Sequence, residues 1–164
     1  MTLLAAGWGP VAAAVAAALV VAFAGGALTV TDAWYRALRT PAWKPPDWAF
    51  GPVWAVIFAC ATASAILAWN AMPQAGARAA LLAAYAVNGV LNIAWSALFF
   101  RARRPDWALA EVALLWLSIV ALIGVSWPAG AIPVLLLVPY LAWVGVAARL
   151  NLAIVRLNGP FRSA

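Results

Sequence analysis

The fold class this sequence predicts is all-α: a bundle of five membrane-spanning helices in a single domain, residues 1–164. Three observations predict it. The chain is 68% hydrophobic and 9% charged, whereas a soluble domain carries about 25% charged residues, and so short a chain cannot hide that much apolar surface in one core. Five runs stay apolar over the roughly 20 residues that cross a hydrocarbon layer. The basic residues fall almost wholly on one side of those runs.

The runs are, in order, about residues 10–30, 51–72, 79–100, 107–127 and 131–155. Spans 1 to 3 contain no charged residue, span 4 contains Glu111 and span 5 contains Arg149. Span 1 lacks a basic leader, and its apolar stretch exceeds the 7–15 residues of a secretory signal, so it reads as a retained helix. Its Ala- and Gly-rich make-up suits close helix contact. Pro133 and Pro139 are expected to bend span 5.

Five spans put loop 1, loop 3 and the C-terminal end on one side. That side holds Arg36, Arg39, Lys44, Arg101, Arg103, Arg104, Arg149, Arg156 and Arg162, and the other side holds Arg78. The positive-inside rule then places loop 1 and the C-terminus in the cytoplasm and the N-terminus outside. The net charge of +6 therefore reports topology, with no nucleic acid implied. Glu111, near the basic cluster after span 3, is expected to pair with Arg101 or Arg103 or to snorkel towards them. Arg149 is expected to reach the cytoplasmic face along its own stem.

The other connections are short and imply antiparallel neighbours. Loop 1, about residues 31–50, is long enough to form structure of its own. DAWYRAL suits a helical turn or two capped by Asp32, and TPAWKPPDW is expected to be extended and stiff.

Eleven tryptophans need sorting. Trp8, Trp69, Trp107 and Trp127 lie at span ends, where indoles collect at the membrane interface. Trp116 and Trp143 are mid-span, and Trp95 sits about 7 Å inside the end of span 3 at 1.5 Å per residue. The topology gathers Trp54, Asn92, Trp95 and Trp143 in the part of the bundle beneath loop 1. Aromatic walls with few polar groups suit a flat apolar ligand. Asn88, Asn92 and Ser96 recur every four residues and form one stripe, which must face protein or ligand because lipid cannot satisfy an amide. Helix–helix bonding is the reading for Asn88, and Asn92 stays open between that and ligand contact.

Several chemistries are excluded. Cys60 is the lone cysteine, so there is no internal disulfide and no CxxC site. No histidine occurs, which removes a His-ligated haem, the usual zinc sites and a Ser-His-Asp triad.

Three stretches together carry a resemblance: WYRALRTPAWKPPDWAFGPVW from Trp34 to Trp54, NIAW with FF from Asn92 to Phe100, and PYLAW followed by LN from Pro139 to Asn151. They resemble the translocator protein family, also called TspO, tryptophan-rich sensory protein or peripheral benzodiazepine receptor. The likeness runs in order over nearly the whole chain. It implies a five-helix bundle, often a homodimer in bacterial members, with a pocket beneath loop 1 for porphyrins such as protoporphyrin IX or haem, sterols, and isoquinoline or benzodiazepine-type drugs. Carried over by position, the pocket residues are Tyr35, Trp43, Trp54, Asn92, Trp95 and Trp143. Arg36, Arg39 or Lys44 would meet porphyrin propionates. The cholesterol motif of animal members is not intact here, where ARLNLAIVRLN keeps Arg156 but has no tyrosine. The basic character and the absence of an animal-type tail lead to the expectation of a bacterial inner-membrane protein.

The resulting expectation is a membrane receptor or carrier for a tetrapyrrole, with no cofactor required. A second reading is light- and oxygen-dependent breakdown of protoporphyrin, for which the resemblance implicates Trp54 and Trp143. No acid–base or nucleophile set supports ordinary enzyme chemistry. A third is a structural or regulatory membrane protein without a ligand. Active transport is disfavoured, because no internal repeat and no central ionisable pair are present. Small residues such as Ala80 and Ala84, in line with Asn88, offer a dimer face, although the same face would serve packing within one chain.

Overall fold

The computed structural model describes Leu3 and residues 7–161. Six α-helices carry the chain: α1 (Trp8–Leu28), α2 (Ala33–Ala37), α3 (Asp47–Ala71), α4 (Ala75–Ser96), α5 (Pro105–Ser126) and α6 (Ala131–Asn158). A π turn, Ala97–Arg101, prolongs α4, and a 3₁₀ turn, Trp127–Ala129, prolongs α5. All but α2 are long and apolar enough to cross a membrane, giving the five predicted spans.

The helices start and stop where local chemistry dictates. Asp32 caps α2, its side chain accepting from the Tyr35 N–H at 3.1 Å, as the sequence suggested. Residues 38–46 form no helix, but α3 begins at Asp47, four residues before the predicted span. Pro46 supplies the fixed φ that suits a helix entrance, and the Asp47 carboxylate lies in the positive first turn. Pro105 opens α5 from within, at the first helical position, where its missing N–H costs no bond. Gly130 joins the 3₁₀ turn to α6 with a φ of 104°, a value that L side chains avoid.

Contacts between the spans close a ring in the order α1, α3, α6, α5, α4 and back to α1. Gly89 lets α1 approach α4, since a Cβ there would stand 3.1 Å from Val21 Cγ2. At the end away from loop 1 the ring is filled: Ala68, Met72, Leu81 and Ala129 pack together beneath Trp69 and Tyr85. At mid-depth Ile57, Val112, Leu115, Ile119, Tyr140 and Val144 form the main core. At the loop 1 end, the tertiary contacts are largely aromatic, with Trp34 on Phe99 and Tyr35 on Phe100.

The expected pairing of Glu111 is not what the structure shows. Glu111 shares the face of α5 that buries Ala108, Val112 and Leu115, and it is 8% exposed. Neither carboxylate oxygen has a hydrogen-bond partner among the described residues. Arg103 instead binds Asp32 at 2.8 Å, and Arg104 pairs with Asp106. Arg149 lies over the Trp43 ring, 5.2 Å from its centroid. Arg162 falls outside the described residues.

Candidate functional site: an aromatic cavity beneath loop 1

At the loop 1 end the interior of the ring is not filled. A cavity of about 480 Å³ remains, within the range of small-molecule sites, roughly 300–1,000 Å³. All five spans contribute to its wall. Val21 and Gly25 come from α1, Phe50, Trp54 and Phe58 from α3, Asn92 and Trp95 from α4, Val112 and Leu115 from α5, and Trp143 and Ala147 from α6. Tyr35 and Thr31 of loop 1 close the end.

The aromatic side chains hold one another in place. Trp54 stacks on Phe58, one helical turn further on, with centroids 5.5 Å apart, and meets Tyr140 edge-on at 5.9 Å. Trp95 stacks on Phe99 at 5.3 Å and meets Phe100 edge-on at 6.0 Å. The π turn presents Phe99 towards the buried layer and Phe100 towards the cavity. Phe50 meets Trp143 edge-on at 5.5 Å. The indole N–H groups of Trp95 and Trp143 are buried and have no acceptor among the described residues.

A polar chain runs behind this wall. Asn92 Nδ2 donates to the Tyr140 hydroxyl at 3.0 Å, and that hydroxyl donates to Asn88 Oδ1 at 3.1 Å. Asn88 Nδ2 donates to Ser118 Oγ at 2.8 Å, and Ser118 donates to the Leu115 carbonyl at 2.7 Å. The Asn88–Asn92–Ser96 stripe therefore faces protein, as lipid requires. Asn88 serves helix packing, while Asn92 takes part in packing and also borders the cavity.

At the mouth, the Tyr35 hydroxyl donates to Asp47 Oδ1 at 3.0 Å, and the same oxygen takes the Lys44 ammonium. Lys44 also sits 5.2 Å from the Tyr35 ring centroid. Burial raises the pKa of the Tyr35 phenol, so it stays protonated and keeps donating through the physiological range.

Of the residues singled out by sequence, Tyr35, Trp54, Asn92, Trp95 and Trp143 all line this one cavity. Trp43 stands outside the wall, 44% exposed and engaged with Arg149. Arg36 donates to the Thr31 carbonyl at 2.8 Å, Arg39 is held through its backbone, and neither lines the cavity. Lys44 reaches the cavity rim through Tyr35 and Asp47. Phe50, Phe58 and the α1 and α5 walls were not anticipated. The fourfold spacing of Trp54 and Phe58 would have found one of them.

Fold and cavity together define a five-helix membrane protein built around an internal aromatic chamber at one end. The signature of the TspO/MBR family matches residues 13–157, and the chain belongs to that family. It is 40% identical over 147 residues to the tryptophan-rich protein TspO of Chlorobaculum tepidum, covering 85% of this chain and 90% of that one. It is 33% identical over 133 residues to the tryptophan-rich sensory protein of Cereibacter sphaeroides, covering 81% and 82%. It is 34% identical over 131 residues to the human translocator protein, covering 79% and 77%.

Proposed function

We propose that this protein is a membrane receptor or carrier that binds a flat, largely apolar tetrapyrrole of the protoporphyrin IX type in the cavity beneath loop 1. The observation that carries the proposal is the meeting of Trp54, Trp95 and Trp143, from three different helices, with Tyr35 around one cavity of about 480 Å³. Aromatic contacts contribute about 0.5–1.5 kcal/mol each beyond burial, so three indoles give useful affinity without a directional bond. The two unpartnered indole N–H groups would favour a ligand bearing acceptor atoms. Lys44 at the rim supplies a cation for an acidic substituent once its bond to Asp47 is exchanged.

The same reading puts loop 1 and the C-terminus in the cytoplasm of a bacterial inner membrane. The clustering of basic residues on that side supports it. Homodimerisation through the small-residue faces of α1 and α4 belongs to this proposal as well.

Quenching of tryptophan fluorescence by protoporphyrin IX in lipid nanodiscs tests it. Saturable quenching is expected, and Trp54→Ala, Trp95→Ala and Trp143→Ala should each weaken binding roughly 2- to 12-fold, the stated energies at 1.4 kcal/mol per decade. Trp48→Ala, at a 77% exposed residue away from the wall, should leave it unchanged. Non-saturable quenching equal to that of empty nanodiscs would remove the proposal.

A further inference from the structure

We propose that the cavity opens into the bilayer, through the seam between α3 and α6, and that the Trp143 indole closes this opening. The inference rests on reading the cavity as a ligand site. A second hollow, of about 410 Å³, lies on the outer side of that seam. Pro52, Val56 and Ile57 of α3 form one bank, and Pro139, Ala142 and Val146 of α6 form the other. All six are apolar, and Val56 and Val146 are exposed on helices that cross the membrane. Acyl chains, and whatever flat apolar molecule is dissolved among them, are the surroundings of such a groove.

Among the described residues, Trp143 alone lines both the groove and the inner cavity. One indole thus stands between bilayer and chamber. Its N–H makes no hydrogen bond among the described residues, and its described ring contact is the edge-on one with Phe50. Turning it aside breaks no polar bond. Pro52 and Pro139 each remove a backbone hydrogen bond from a helix flanking the groove, which softens both banks.

The opposite end is built differently. Loop 1 is fastened to the bundle by Arg103 on Asp32 at 2.8 Å, by two bonds between Asn158 and the Arg39 backbone at 2.8 Å each, and by Tyr35 and Lys44 on Asp47. Entry there must break several polar bonds, whereas entry past Trp143 must displace only apolar contacts. A membrane-dissolved tetrapyrrole is therefore assigned the lateral route.

The test uses the full chain in phosphatidylcholine–phosphatidylglycerol nanodiscs, with protoporphyrin IX delivered from vesicles of the same lipids. Val56→Phe and Ala142→Leu fill the groove without touching the inner wall. Both should slow binding and release several-fold together, leaving Kd unchanged, while Asn158→Ala alters neither rate. Faster exchange in Asn158→Ala, with the groove variants like wild type, would overturn the proposal and put the entrance under loop 1. A second measurement needs no tetrapyrrole. In fluorotryptophan-labelled protein, a lipid spin-labelled in mid-chain should broaden the fluorine signal identified by Trp143→Phe, and Ala142→Leu should relieve the broadening. If wild type failed to bind protoporphyrin IX, the ligand reading would fall, and a sharp Trp143 signal beside the spin label would sink the lateral opening separately. A sharp signal together with copper-induced dimers of a Cys60→Ser, Val56→Cys protein would mean that a second copy covers the groove.

Discussion

Asn158, the last residue of α6, grips the backbone of Arg39 from both sides. Its Oδ1 accepts from the Arg39 N–H and its Nδ2 donates to the Arg39 carbonyl, each at 2.8 Å. The two residues stand 119 positions apart in sequence, so the end of α6 fixes the middle of loop 1, beside the contact of Arg149 with Trp43. Asn158→Ala should loosen the loop without unfolding the bundle, the two bonds contributing about 0.5–1.5 kcal/mol each. Trypsin cleavage after Arg39 should then run several-fold faster. An unchanged cleavage rate would mean that the remaining loop contacts suffice.

The cap on α2 should respond to acid. The Tyr35 backbone N–H, and then the Arg103 guanidinium, hold Asp32 below its ordinary value of 3.8. A lowered carboxylate stabilises the folded loop above its ordinary value, and the contribution is lost as pH falls through the folded one. The Tyr35 amide should therefore be protected from hydrogen exchange at neutral pH and lose its protection factor below pH 3.8. In Asp32→Ala it should be unprotected throughout. Protection that persisted in strong acid would contradict this role.

Tyr140→Phe should uncouple the polar chain behind the cavity. It leaves Asn92 Nδ2 and Asn88 Oδ1 without their shared hydroxyl. Interhelical bonds of this kind contribute about 0.6 kcal/mol on average and up to about 1.7 in membranes. A stability loss in that range should appear in detergent unfolding, along with weaker protoporphyrin binding because Asn92 borders the cavity. Loss of stability with unchanged binding would confine the chain to packing.

Metal-free protoporphyrin IX should bind within a few-fold of haem. The chain has no histidine, Met72 is buried in the distant cluster, and Cys60 does not line the cavity. The Tyr35 hydroxyl lines it but is engaged with Asp47. Titration of both ligands, with the Soret band followed, checks this. A much tighter haem complex with a shifted band would reveal an axial ligand.

The five spans and the α2 cap were legible because apolar length and capping chemistry are local properties of the chain. The order of the helices around the ring was not. In lipid the outer faces are as apolar as the inner ones, so α1, mostly Ala, Val and Gly with few larger residues, gives no periodic sign that Val21 and Gly25 turn inwards. Glu111 was misread for a related reason: proximity in sequence to Arg101 and Arg103 says nothing about which face of α5 meets α6. Indoles set off from span ends were an informative signal but not a sufficient one: Trp116, also mid-span, is 37% exposed and lies outside the cavity wall. Trp54, Trp95 and Trp143 share a wall, while Trp43, inside a loop whose path depends on distant contacts, does not.

The π turn after α4 has a consequence for how this chain tolerates change in length. A one-residue deletion inside a regular span swings everything beyond it by about 100° and draws it in by 1.5 Å. Between Ala97 and Arg101 the backbone already carries a surplus, marked by the 2.9 Å bond from the Ala102 N–H to the Ala97 carbonyl. Excising one residue there would let the helix relax to ordinary winding. The damage would fall on the ring contacts of Phe99 and Phe100 with Trp95, and the other four spans would keep their register.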